Sequence, residues 1–486
     1  MMSQSNSRRV TLKVLQDEDI EKIHSAVLKL LSTTGCVVNE PESLKLLKDA
    51  GCLVANSNRV RIPAGLVEEA IKLAPKTITL YNRLGNPCLY LEGGNHYYGC
   101  GAAMINTIDL ETGQRRRSVF KDVREFIKLQ DYLANIDLVY SMGIMSDYPA
   151  EIADVLTFKT MIENTTKPMH PETDTREHLE KMWEMAVVVA GDEETLRQKP
   201  FFLSASSAIP PLRHERNALE MLLFAAEKGL PWKYAATPQG GGTGPATGAG
   251  CIVQVLADCF VGLVISQLKK KGSPFIIGPM VSSMDMRTMI ITCGSPEFSL
   301  WMAALSDVES FYGLPTYGVA GCTDSLFNDQ QAAVESTVSL ALRHLSPAPN
   351  IIFDIGTLES CSTASFEHLL ISDEIISIVK NIAQGLTVDR DTLALDAIDR
   401  VGPGGHFLTD EHTLRHYREF YEPRLMTRKR HHKWVEEGKK SLSEKLRNQV
   451  KEILSTHSSP PVSGKVRIEL NRIFDDFRKF HSQREP

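Results

Sequence analysis

The sequence lacks the marks of several large functional classes. Its 486 residues contain nine cysteines, scattered singly and without a CxxC pair. That pattern argues against a disulfide framework and fits reduced, intracellular thiols. Lys and Arg number 54 against 60 Asp and Glu, for a formal net charge of -6. The positive excess that nucleic acid attracts is therefore missing. No apolar run approaches the roughly 20 residues of a membrane span. The opening MMSQSNSRRV carries no hydrophobic stretch of a secretory signal. These absences lead us to expect a cytoplasmic protein with no membrane or nucleic-acid partner, and leave small molecules or proteins open as partners; a homo-oligomer is expected as well.

Catalytic signatures are missing too. There is no HExxH and no Cys/His cluster with zinc spacing. His431 and His432 are adjacent and diverge on a helix. His412 and His416 stand four apart, a chelating distance on a helix, yet no third ligand is evident, so no metal is expected. No GxSxG elbow is present. The glycines of TPQGGGTGPATG (Gly240, Gly241, Gly242 and Gly244) follow a strand and precede a helix, where they could cradle a phosphate. They come without a Walker lysine, and a closely approached wall of a site is the better reading.

What is present is periodic. Hydrophobic residues make up 42% and charged residues 23%, ordinary for a globular chain. From Gly313 to Glu374 one unit occurs twice: a short apolar run, a polar Gly-bearing loop, then an amphipathic segment of helical length. The loops are AGCTD (320–324) and DIGTLE (354–359). Strand, loop and helix repeated in that order build parallel α/β folds, whose chemistry sits after the strand carboxyl ends.

Extending the unit backwards gives eight candidate strands: 96–102, 138–144, 168–170, 201–205, 232–236, 274–278, 315–319 and 350–353. Helical patterns follow at 121–133, 150–164, 175–190, 213–228, 245–270, 296–312, 329–345 and 365–383. The count predicts an α/β fold of the (β/α)8 TIM-barrel type over residues 94–387. A doubly wound open sheet is the competing architecture. Residues 1–93 read as an α/β cover, with helices at 17–33, 41–49 and 63–73. Residues 388–486 read as a helical extension containing the glycine-rich VGPGGHF, a basic stretch from Arg428 to Lys433, and two charged helices. Such charge runs are usually solvated helix faces; a docking surface is the alternative.

In a barrel, the residues ending the strands line the mouth. They include Tyr97, Tyr98 and Cys100; Tyr140 and Met142; His170 and Glu172; Tyr234; Gly278; Tyr317; and Phe353 and Asp354. Alternation along a strand turns only about half of them inward. The set offers aromatic faces and few charges, which suits an alkylated ammonium ion that cannot donate hydrogen bonds. The plain alternative is that these rings cap the core.

Three stretches, GVAGCTDSLFNDQQA (318–332), TASFEHLLISDEI (363–375) and VGPGGHFLTDEHTLRH (401–416), resemble the trimethylamine methyltransferase superfamily. Their order and spacing match, and the resemblance covers nearly the whole chain. It implies a (β/α)8 barrel that moves a methyl group from a methylated amine to the cobalt of a separate corrinoid protein. Members using trimethylamine carry pyrrolysine directly after a glutamine. By that match Gln331 is the glutamine here and Ala332 stands where pyrrolysine would be.

The chain thus resembles the members without pyrrolysine, among them glycine betaine methyltransferase. The resemblance implies glycine betaine as methyl donor, with proline betaine, carnitine, butyrobetaine or a tertiary methylamine as alternatives. A non-catalytic betaine-binding protein is the alternative of another class. Aromatic faces would hold the ammonium, while Gln331, His170 or an arginine would hold the carboxylate. Asp258 lies near where the family places an active-site acid, and His406 is a candidate lid. No side chain is required as acid or base. The corrinoid signature DxHxxG is missing, so the resemblance implies no cofactor on this chain and a corrinoid brought by a partner.

Overall fold

The computed structural model describes residues 9–55, 58–101 and 103–483. The expected first strand reached Ala102, which lies outside the described residues, as does most of MMSQSNSRRV.

Short parallel segments pair in sequence order and close on themselves. Tyr97–Cys100 opens the circuit, and Gly99 bridges Leu138. Val139 bridges Met169, which in turn bridges Phe202. Ser204–Ser207 pairs with Trp232–Ala236, and that strand with Phe275–Pro279. Ile277 then bridges Thr316, and Tyr317–Val319 pairs with Ile351–Ile355. The last strand returns to the first, Ile351 opposite Tyr97 and Ile352 opposite Tyr98. Strands such as FIIGP and IIFDI are apolar with few breaks, because parallel strands under helices are covered on both faces.

A helix follows each segment: Phe120–Tyr132, Ala150–Asn164, Arg176–Ala190, Arg216–Lys228, Gly248–Lys269, Pro296–Tyr312, Gln330–Leu345 and Phe366–Ala383. Their starts are chemically marked. Thr175, Ser295, Asp329 and Ser365 each accept a hydrogen bond from a first-turn backbone N–H. Gly229 and Gly313 end two of them in the left-handed conformation.

Two helices begin later than the periodicity predicts. Arg213–His214 is taken into a parallel pairing with Cys36–Val38 of the amino-terminal region, so the fourth helix starts at Arg216. The glycine-rich loop forms a turn in which Gln239–Gly240 pairs with Ser282–Ser283, so the fifth starts at Gly248.

The expectation about apolar runs is also corrected. Gly248–Lys269 is 22 residues long, with a mean hydropathy of 2.0 over its most apolar window, enough to cross a membrane by length and composition. That window is 78% buried within the protein, beneath helices Asp17–Thr33, Pro41–Asp49 and Ala64–Leu73.

At the amino-terminal end of the circuit lies a hairpin, Ile78–Tyr81 with Pro87–Leu91. Its Ile78, Leu80, Leu89 and Leu91 share one buried cluster with Leu138, Leu203, Ile276 and Ile351 of the circuit. The carboxyl-terminal region wraps the outside. Leu442–Thr456 packs on Phe366–Ala383 and Phe120–Tyr132, and Gly464–Ser482 packs on Ala150–Asn164 and Arg176–Ala190. Both helices bury an apolar stripe, Leu446, Val450 and Ile453 in one and Leu470, Ile473, Phe474 and Phe477 in the other. Between them and the circuit, EHTLRHYREFYEP is helical only from Glu411 to His416 and ends in a 3-10 turn, Tyr417–Glu419.

Candidate active site

Lys233 is the charge that the aromatic reading did not anticipate. It lies between Trp232 and Tyr234, and only 7% of it is exposed. Alternation sends its side chain to the interior and its neighbours outward. Gly278 on the adjacent strand makes room for the stem: a Cβ there would stand 2.8 Å from Lys233 Cγ. The ammonium sits 4.6 Å from the centre of the Tyr317 ring and 4.4 Å from that of Phe353, well within cation–π range.

Tyr140 and His170 complete the aromatic wall. Their rings stack at 4.6 Å and 17°, and the Tyr140 hydroxyl meets that of Tyr317 at 2.5 Å. His170 is fully buried, and neither ring nitrogen has a hydrogen-bond partner among the described residues. Its Nδ1 is 3.7 Å from Glu172 Oε1, two residues on and on the same face.

Asp354 has φ +75°, and the pairing register with the first strand shifts at this point. A bulge of this kind re-aims a side chain, so consecutive Phe353 and Asp354 both come within reach of Lys233.

Burial sets the electrostatics. It pushes Lys233 below the ordinary lysine range, while Glu172 and Asp354 pull the other way. It raises Glu172, which Lys233 opposes, and raises Asp354 well above the usual carboxylate range. It drives His170 far below its normal value, with Lys233 adding to the effect. At neutral pH the imidazole is therefore uncharged, with one N–H to donate and one lone pair to accept. The Glu172 side chain remains 38% exposed, so the cluster has an open side.

Of the expected residues, His170, Tyr317, Phe353 and Asp354 gather here. The others lie elsewhere. Tyr97 and Tyr98 stand at the amino-terminal start of the first strand. Tyr97 accepts a hydrogen bond from the Tyr90 N–H, and the Tyr98 hydroxyl is 2.6 Å from His344 Nδ1. Tyr234 faces outward, its ring against Gly262 and its hydroxyl 2.8 Å from His214 Nδ1. Asp258 is buried on that outer side, 3.6 Å from His214 Nε2. Gln331 is exposed on the first turn of its helix and donates to Glu335. His406 is exposed in the loop after the circuit.

Lys233 was missed by the sequence reading, which took strand ends alone. Its signal was available: a lone charge inside an apolar strand, WKYAA. The few-charges expectation for this mouth is corrected accordingly. The glycine-rich loop packs as a wall, with Gly240 and Gly248 against Trp301 and Gly241 and Gly242 against Met286 and Met284.

Two groups of potential ligand atoms were also not evident in the sequence. Asp391 joins His412 and His416 on the exposed extension, supplying the third group that spacing alone did not show. Cys293, Cys322 and Cys361 converge from three loops. A cavity of about 360 Å³ lined by Arg9, His96, Glu309 and Asn350 opens at the other end of the circuit, away from this cluster.

The chain itself has counterparts among known proteins. The family model described as trimethylamine methyltransferase (MTTB) matches residues 2–480. A glycine betaine methyltransferase of Desulfitobacterium hafniense is 30% identical over 463 residues, covering 94% of this chain and 95% of that one. A trimethylamine methyltransferase, MttB2 of Methanosarcina mazei, is 31% identical over 473 residues, covering 96% and 95%. Among solved structures, the Methanosarcina barkeri monomethylamine methyltransferase MtmB aligns with a TM-score of 0.50 at 10% identity, over 97% of this chain and 88% of that one. That last likeness is one of fold. With a family model matched along nearly its whole length, the chain belongs to the trimethylamine methyltransferase family and is a methyltransferase.

Proposed function

We propose that this chain takes a methyl group from a zwitterionic quaternary amine, glycine betaine first among candidates, and passes it to a corrinoid held by a separate protein, releasing dimethylglycine. On this reading the closed parallel circuit is a (β/α)8 barrel, with the amino-terminal region as cover and the carboxyl-terminal helices as an outer brace. The nine free cysteines fit the cytoplasmic setting that goes with it.

The observation that carries the proposal is the company Lys233 keeps. A betaine bears both charges, and the cluster offers a partner for each. Lys233, with a hydrogen bond from neutral His170, meets the carboxylate. Glu172 and the faces of Tyr140 and Phe353 meet the ammonium, which attracts carboxylates and ring faces without needing hydrogen bonds. Ala332 at the pyrrolysine position supports a quaternary rather than a tertiary amine, and the glycine betaine methyltransferase relative points the same way.

The methyl of a quaternary ammonium is already electrophilic. When it leaves, the N–C electron pair returns to nitrogen, and no proton moves. The chain therefore has to bind, aim one methyl at the opening and exclude water. Reduced cobalt supplies the nucleophilic electron pair when the partner docks. Exposed Met286, Met289 and Ile290 on one loop and Leu326 and Phe327 on the next give that partner an apolar rim. Leu386, Leu395, Leu408, Leu414 and Phe420, all exposed on the extension, are the surface we assign to a second copy of the chain.

The test is demethylation of glycine betaine with a corrinoid protein held as Co(I), followed in the visible spectrum. Methylcobalt and dimethylglycine formed in equal amounts would support the proposal. Reaction with carnitine or proline betaine instead would keep the class and overturn the substrate. Binding of betaine without transfer would favour a non-catalytic binding protein.

A further inference from the structure

The geometry points to a metal site of the zinc class built from Cys293, Cys322 and Cys361. The thiols come from loops after the sixth, seventh and eighth circuit strands, far apart in sequence. Their sulfurs nevertheless lie within 4.8 Å of one another, and Cys293 Sγ is 3.8 Å from Cys361 Sγ. Zinc–sulfur bonds of about 2.3 Å in tetrahedral geometry place two sulfurs about 3.8 Å apart. Cys293 and Cys322 are buried, and Cys361 is partly exposed. An approaching ion can thus reach the group from one side.

The loops are held for this convergence. Glu359, Ser360 and Cys361 are three consecutive residues with φ of +54°, +48° and +67°, a conformation that side chains other than glycine's disfavour. Backbone bonds from Glu359 N to Ser325 O and from Ser360 N to Thr323 O pin this turn to the loop carrying Cys322. Asp324 ties in the third loop: its carboxylate accepts from the backbone N–H of Cys293 and Gly294 and from the Ser360 hydroxyl. Gly294 has no room for a side chain, since a Cβ would stand 2.2 Å from the Glu335 carboxyl.

Three sulfur donors select a soft, tetrahedral ion over magnesium or calcium. The fourth position falls to water, which reaches the group past partly exposed Cys361. Binding releases the thiol protons and clamps three loops beside the Lys233 cluster. The inference stands apart from the choice of methyl donor, and either can fail without the other.

The experiment titrates the reduced, chelator-treated full chain with Co²⁺ as a spectroscopic probe and then adds Zn²⁺. One equivalent should give sulfur-to-cobalt charge transfer with tetrahedral visible bands, and zinc should erase both. Cys322→Ser and Cys361→Ser should each weaken binding by more than the roughly 10–100-fold expected of the orienting variant Asp324→Asn. Cys88→Ser, outside the cluster, should leave it unchanged. No thiolate band with the wild-type chain would overturn the proposal, as would binding that survives both cysteine variants. A reduced wild type that forms a Cys293–Cys361 disulfide in air yet never takes up cobalt would replace it with a redox pair.

Discussion

Lys233 shows how much one residue changes the reading of this site. A ring-lined mouth with no charge would take any alkylated ammonium. On the proposed function, a buried lysine between two acids selects a molecule that carries its own carboxylate. Removing one member of a buried charge pair costs about 2–5 kcal/mol. Lys233→Met should therefore raise KM for glycine betaine by about thirtyfold or more, with a smaller effect on kcat. Steady-state kinetics against the corrinoid partner would check this, and an unchanged KM would remove Lys233 from the binding role. His170, Tyr317, Phe353 and Asp354 were legible because strand ends of repeated units mark a mouth. Tyr234 was misplaced because one step along a strand reverses direction, and sequence alone does not say which parity faces inward. Lys233, its immediate neighbour, is the residue on the right parity. The three cysteines were illegible for another reason: separations of 29 and 39 residues fit no local motif and acquire meaning only when three loops meet.

Elements were read more accurately than side chains. Helices Ala150–Asn164 and Pro296–Tyr312 match their expected bounds, because Pro149, Ser295 and Pro296 mark their starts. The late starts at Arg216 and Gly248 reflect pairings with distant strands, which no local pattern encodes. The helix Gly248–Lys269 carries a further consequence. Asp258 lies within its buried length, and burial pushes the carboxyl up to about 8. Neighbouring His214 is held down to about 3, so it stays neutral; Tyr234, Cys36 and Cys259 face the same place and are also uncharged. An unfolded aspartate titrates near about 4. Between about pH 4 and 8 the unfolded chain loses a proton that the folded chain keeps, so this group makes wild-type stability fall as pH rises through that window. Asp258→Asn abolishes the effect. Calorimetry at about pH 6 and about pH 9 should show the variant gaining melting temperature relative to wild type at the higher pH. Equal differences at both would refute the assignment.

For the whole molecule, the charged tail is a brace that buries one apolar stripe and keeps its charged face in solvent. Phe477 is 2% exposed, and its ring meets His178 edge-on at 5.7 Å. It joins the last helix to the helix after the third circuit segment. Truncating a buried phenylalanine to alanine costs about 3–5 kcal/mol through lost contacts and a residual cavity. Phe477→Ala should show that loss in denaturant unfolding while KM for the methyl donor stays the same; a shift in KM with unchanged stability would place the tail in the site instead. The expected division at 93 follows the start of the repeating unit and that at 387 a change in composition, yet the amino-terminal and carboxyl-terminal helices share one core with the circuit, and such sharing is a long-range property.

The hairpin Ile78–Leu91 at the amino-terminal end of the circuit has a kinetic meaning. The hairpin covers the buried cluster at that end, so the Lys233 group is reached from the opposite end, where Glu172 is partly exposed. If a small donor and a protein acceptor both use that opposite end, they cannot arrive in either order, because the acceptor once seated blocks the way in. The donor must enter first, and the demethylated product must wait until the acceptor has left. On the proposed function, turnover then follows a compulsory sequence: amine on, protein on, protein off, amine off.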